Sequence, residues 1–110
     1  MIKAVKLEGS SMYPLFDAGE TVLLETSVSD CHAGDCLLYN YEGCRLLHRV
    51  IAVYEAGPLL SDDVGSIAPH RVAWRDVEGR VVTRNPLKKG FSGLVYSAAR
   101  KLLAVLFRPR

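Results

Sequence analysis

The sequence predicts a small, mainly β fold: a coiled, partly barrel-like antiparallel sheet followed by one carboxy-terminal amphipathic helix. Three observations carry that prediction. Short runs rich in β-branched and aromatic residues alternate with turn signals along most of the chain. The run Arg45 to Tyr54 is largely apolar on both of its alternating faces, as in a strand covered on two sides, and beyond residue 91 the apolar residues recur at helical spacing. With 110 residues, 49% hydrophobic and 24% charged, the chain has the size and composition of one ordinary globular domain. We read it as a β domain over residues 1–91 and a helix over 92–110.

A short strand, Lys3 to Leu7, leads into Gly9-Ser10-Ser11-Met12-Tyr13-Pro14, where the proline fixes the chain direction just beyond the serines. The next strand is Thr21 to Glu25. Asp35 to Tyr41 and Arg45 to Tyr54 are separated by a few residues that include Gly43, which reads as a hairpin, so the strand carrying His48 runs antiparallel beside Asp35 to Tyr41. Alternation places Leu46, His48, Val50 and Ala52 on one face and Leu47, Arg49, Ile51 and Val53 on the other. A further strand is Gly79 to Thr83. From Ser92 to Phe107, Leu94, Ala98, Leu102 and Val105 keep helical spacing, joined by Val95, Ala99 and Leu106, while Arg100, Lys101, Arg108 and Arg110 supply positive charge. Packing on the domain is the plain role for this helix. Attachment to an anionic membrane surface, which basic residues flanking an apolar face can provide, is a second, and binding a partner a third.

Composition also narrows the function. A formal net charge of +2 with dispersed basic residues gives no reason to expect a nucleic-acid partner. Cys31, Cys36 and Cys44 are odd in number and follow no Cys-x-x-Cys spacing, so the sequence suggests neither a disulfide framework nor a zinc site, and reduced thiols suit a cytoplasmic location. No stretch reaches the roughly 18 to 20 apolar residues of a spanning helix. Lys3, Lys6 and Glu8 interrupt any signal-peptide core at the amino terminus, so the sequence predicts a protein without a transmembrane anchor.

The chemistry concentrates in two places. A serine hydroxyl is a poor nucleophile at neutral pH, so an enzyme that uses one needs a proton acceptor within hydrogen-bond reach and donors around the developing oxyanion. Ser11 is the candidate nucleophile, with Ser10 as the alternative. His48 is the candidate base: imidazole titrates near neutrality, and an apolar strand keeps it uncharged and able to accept a proton. His32 and His70 lie in polar, turn-like surroundings and read as solvated. Asp35, in a Gly-Asp turn, and Arg49, which alternates away from His48, read as structural.

Four segments in order, Gly9-Ser10-Ser11-Met12-Tyr13-Pro14, Ala18-Gly19-Glu20-Thr21-Val22, Gly34-Asp35-Cys36-Leu37-Leu38-Tyr39 and His48-Arg49-Val50-Ile51, resemble the boxes of the signal peptidase and LexA-type serine protease superfamily. The resemblance runs roughly from Val5 to Val82. It implies that Ser11, directly before Met12, is the nucleophile and that His48 fills the general-base position. Bacterial signal peptidases and LexA-like repressors place lysine there, whereas histidine followed by Arg-Val resembles the archaeal and endoplasmic-reticulum branch; this chain has no lysine between Lys6 and Lys88. The family's Gly-Asp pair after the base strand matches Asp62-Asp63, so one of these two carboxylates is expected to orient His48, with the choice between them open. A second family aspartate about six residues on is Pro69 here. Where signal peptidases commonly carry a serine two residues before the nucleophile, this chain has Gly9, so backbone N–H groups of Ser10 and Ser11 would form the oxyanion hole. Met12 and Tyr13 would neighbour the substrate cleft.

Together these features predict a serine endopeptidase-like protein that needs no metal or organic cofactor and acts on an extended peptide, such as a leader or signal-type segment, with small residues favoured near the scissile bond. Two alternatives stay open. One is a non-catalytic peptide-binding or regulatory module that keeps the fold. The other is a stand-alone relative of the repressor self-cleavage domain, which the absent lysine and the lack of a DNA-binding segment disfavour.

Overall fold

In the computed structural model, which describes residues 1–7, 12, 15, 16, 18–29, 31–65 and 67–107, the chain is mainly antiparallel β with one carboxy-terminal helix. The strands are β1 (Ile2–Lys6), β2 (Thr21–Glu25), β3 (Cys36–Tyr41), β4 (Cys44–Tyr54), β5 (Gly57–Ser61), β6 (His70–Arg71) and β7 (Val77–Val81), and the helix α1 spans Gly90–Leu106. They form one sheet in the order β1-β2-β7-β3-β4-β5-β6, in which all described pairings are antiparallel. The sheet is open, with β1 and β6 at its two edges, which corrects the expectation of a partly barrel-like closure.

Alternation along β3 builds the interior. Cys36 and Leu38 enter a cluster with Val5, Leu7, Met12, Phe16, Val22, Leu24, Leu47 and Val81, whereas Leu37 and Tyr39 enter a second cluster with Cys31, Val50, Leu60 and Val72. Successive strand side chains point to opposite faces, so β3 is covered on both. Its hairpin partner β4 is covered likewise over four consecutive buried residues, Leu47 to Val50, as its doubly apolar sequence predicts. Its register sets His48 opposite Leu37 on the face of the second cluster and Arg49 opposite Cys36 on the face of the first.

The helix begins at Gly90, two residues before the sequence predicts. Lys89 at its N-cap makes no side-chain cap. Instead Asp35, 55 positions earlier, accepts from the Gly90 N–H at 2.9 Å with one oxygen and from the His32 N–H at 2.8 Å with the other. A carboxylate at a helix amino terminus satisfies an orphan donor and complements the dipole. The contact is close enough to require glycine at position 34: its φ is +97°, and a Cβ there would lie 1.6 Å from the Gly90 carbonyl oxygen. Farther along, α1 leaves the body of the domain. Only Gly93 and Ser97 are buried along it, and Phe91, Val95, Leu102, Leu103, Val105 and Leu106 are exposed. Packing on the domain therefore accounts for only the first half of the helix. Among the described residues, no helix is long and apolar enough to cross a membrane.

Candidate active site

His48 is 2% exposed, on a face of β4 where every neighbour on the strand is apolar except the residue that alternates away. Burial alone would favour the uncharged imidazole, and it holds the His48 pKa down to about 4. The Asp62 charge pulls it back up, His70 pushes it further down, and Asp63 raises it by less than Asp62 does. At neutral pH His48 is therefore an uncharged imidazole within the field of buried carboxylate.

Its ring is held by a residue the sequence reading passed over. The Tyr39 hydroxyl lies 2.7 Å from His48 Nδ1 and 2.6 Å from His70 Nε2, and His70 Nδ1 lies 3.0 Å from the Ala68 carbonyl oxygen. His70 also stacks on Tyr41, with ring centroids 4.2 Å apart and an interplanar angle of 24°. Expected to be solvated, His70 is instead half-buried and tied into a row of three rings; His32 is exposed, as its turn-like surroundings suggest. Burial pushes the Tyr39 phenol well above its ordinary value, so it stays a neutral hydroxyl.

The two aspartates have separate fates. Both oxygens of Asp63 are taken by Arg49, whose Nε and Nη2 donate at 3.1 and 2.9 Å, in an ion pair shut away from solvent on both sides. Arg49 Nη1 donates in turn to the carbonyls of Gly34 and Leu87, at 2.8 and 2.7 Å. Asp63 thus anchors the arginine instead of the histidine. Of the two carboxylates the sequence left open, Asp63 is therefore committed to Arg49, while Nδ1 of His48 lies against the Tyr39 hydroxyl. Asp62 is fully buried, accepts from the Gly65 N–H, and is the acidic group His48 feels more strongly. Continuing the β4–β5 register one step past the Arg49–Ser61 pair brings Asp62 beside His48 and explains this ranking. Lys101 of α1 lies within the field of both aspartates, its own pKa lowered by burial and raised by Asp63 and then Asp62.

Of the other residues singled out from sequence, Gly9, Ser10, Ser11 and Tyr13 lie outside the described residues. Met12, read as a cleft neighbour, is 2% exposed and packed in the first core cluster. The buried thiols are poor rivals as nucleophiles: burial pushes Cys31 up to about 11 and Cys36 up to about 12, and all three cysteines are free. Beside His70 a groove of about 430 Å³ opens, walled by Tyr41, Leu46, Ile67, Ala68 and Pro69.

Tyr39 was within reach of the sequence. The hairpin pairs Leu37 with His48 and Tyr39 with Leu46, so the tyrosine is a same-face diagonal neighbour of the histidine, at a separation an aromatic side chain can bridge. His70 carried no such signal, because it arrives from a strand of two residues beyond a long loop. Neither a scan against protein-family models nor a search of the curated proteins finds a match to this chain.

Proposed function

We propose that the chain is a serine endopeptidase of the signal peptidase and LexA-type kind, in the branch that uses histidine, with Ser11 as nucleophile and His48 as general base. The observation that carries this reading is His48 itself: a buried, neutral imidazole under the influence of a buried carboxylate, on the strand that follows the Gly-Ser-Ser-Met segment in family order. Ser11 Oγ attacks the peptide carbonyl carbon and its proton passes to His48 Nε2. The resulting imidazolium lies in the field of Asp62, and the oxyanion is met by backbone N–H groups of Ser10 and Ser11. His48 then gives its proton to the leaving amine, and water, activated by the same imidazole, hydrolyses the acyl-enzyme. The apolar groove beside His70 supports an extended peptide substrate whose side chains are read by shallow pockets. A cytoplasmic setting is part of the proposal.

A serine-directed fluorophosphonate probe tests the assignment. Wild type is expected to be labelled, with the adduct mapped to Ser11, and Ser11→Ala and His48→Ala are expected to lose labelling. Labelling that persists in Ser11→Ala contradicts the nucleophile; a folded wild type that takes no label points to a peptide-binding module with the same fold.

The exposed apolar turns of α1 favour one addition, that the helix rests on a membrane surface through Leu102, Val105, Leu106 and Phe107. Vesicles rich in anionic lipid are expected to sediment the protein, and Leu102→Asp with Leu106→Asp to abolish this while shifting stability by less than about 0.5 kcal/mol. Equal sedimentation of the double variant would contradict it.

A further inference from the structure

We infer that Tyr39 and His70 are positioning residues which fix the tautomer of His48, so that its Nε2 carries the lone pair a base requires. The inference rests on the reading of His48 as a general base, and the direction of each bond follows from donors and acceptors with one proton on each imidazole. A carbonyl oxygen can only accept. The 3.0 Å contact between His70 Nδ1 and the Ala68 oxygen therefore places a proton on His70 Nδ1. With one proton on the ring the other nitrogen is an acceptor, so His70 Nε2 accepts a hydrogen bond from the Tyr39 hydroxyl across 2.6 Å. A hydroxyl has one proton. With that proton directed at His70, the Tyr39 oxygen can only accept from His48 Nδ1 across 2.7 Å. Nδ1 of His48 is thus protonated and Nε2 is the basic nitrogen.

The chain of bonds does in this molecule what a buried aspartate does in a serine–histidine–aspartate triad, but without charge. A neutral orienter suits a site whose Asp63 is occupied by Arg49. It has a further effect during turnover: when His48 accepts the serine proton, the same Nδ1–H to Tyr39 contact becomes a charge-assisted hydrogen bond, with no atom having to move. Burial keeps Tyr39 from ionising, so the phenol remains a hydroxyl throughout. The stacking of His70 on Tyr41 fixes the far end of the row.

Histidine ring-nitrogen NMR of the unreacted protein at neutral pH tests this directly, because protonated and lone-pair nitrogens have well-separated shifts. In wild type, His48 is expected to show a protonated Nδ1 and a lone-pair Nε2, and His70 the same. His70→Phe keeps a ring to stack on Tyr41 but removes the acceptor. The Tyr39 hydroxyl then turns to donate to His48, which is expected to move its proton to Nε2, and fluorophosphonate labelling of Ser11 should slow by about ten- to a hundredfold, in line with other orienting partners. Tyr39→Phe is expected to leave His48 as a mixture of the two tautomers. A wild-type His48 protonated on Nε2, or a His70→Phe protein with an unchanged His48 tautomer, overturns the inference. Since the shifts are read before any reaction, they report on the relay separately from the labelling that tests the peptidase reading, and the wild-type spectrum alone decides even if a variant fails to fold.

Discussion

His48 and Arg49 are adjacent on β4, both almost fully buried, and they solve the problem of a buried polar group in opposite ways. On one face, Arg49 keeps its charge and uses four of its five donors: two bonds to Asp63, one each to the Gly34 and Leu87 carbonyls. That cluster joins β4, the segment after β5, the turn before β3 and the approach to α1. On the other face, His48 gives up its charge and bonds the Tyr39 hydroxyl, which is bonded in turn to His70. A buried, multiply bonded ion pair makes a fastener, whereas a desolvated, neutral imidazole with a fixed orientation keeps the ability to take up one proton. Strand alternation separates the two sets by a single residue.

Breaking the Arg49 side should have the largest effect on folding. Asp63→Ala leaves a buried guanidinium without its counter-ion and is expected to cost about 3–5 kcal/mol in chemical denaturation. Replacing both partners with apolar residues of similar volume, Arg49→Met with Asp63→Leu, should recover a good part of that loss, because no unpaired charge remains. A double variant as unstable as the single one would mean that the bonds to Gly34 and Leu87, not the ion pair, hold the cluster.

The His48 side is expected to show itself through pH. The unfolded imidazole takes up a proton near 6.5, whereas in the folded protein burial delays this to about 4. Between those values the unfolded state binds more protons, so stability is full above about pH 6.5 and falls as the pH is lowered toward 4, by about 3 kcal/mol in all. Denaturation midpoints of wild type and His48→Gln across this range check it: the variant should lack most of the slope. Smaller again is Asp35→Ala, which removes the acceptor at the start of α1 and should cost about 1–2 kcal/mol, seen as a lowered melting temperature.

Much of this arrangement was legible in the chain and some was not. β2 matches the predicted strand residue for residue, the turn at Glu42-Gly43 gives the β3–β4 hairpin, and apolar residues on both alternating faces of β4 announced a strand covered on both sides. β5 was hidden because Pro58 sits within it, and proline argues against a strand; here it pairs with Val53 at the start of β5. β6, at two residues, is too short for any period to show. Periodicity says which side a residue faces but not whether the last strand meets the first, which is why an open sheet was read as partly closed. Within the site, His48 stood out by its residue type and setting. The pairing of Asp63 with Arg49 is a diagonal contact across the β4–β5 pair, whose register shifts between Val50 and Ala52 in a way that periodicity does not show.

The measurement that bears most directly on a buried, neutral His48 serving Ser11 is the pH dependence of Ser11 acylation by the fluorophosphonate, on samples whose circular dichroism stays native. The rate constant is expected to be flat from about pH 8 down to about 5 and to reach half its plateau near about 4, where the folded His48 takes up its proton. A half-point near 6.5, the value of a solvated histidine, or an adduct at any residue other than Ser11 would contradict the account.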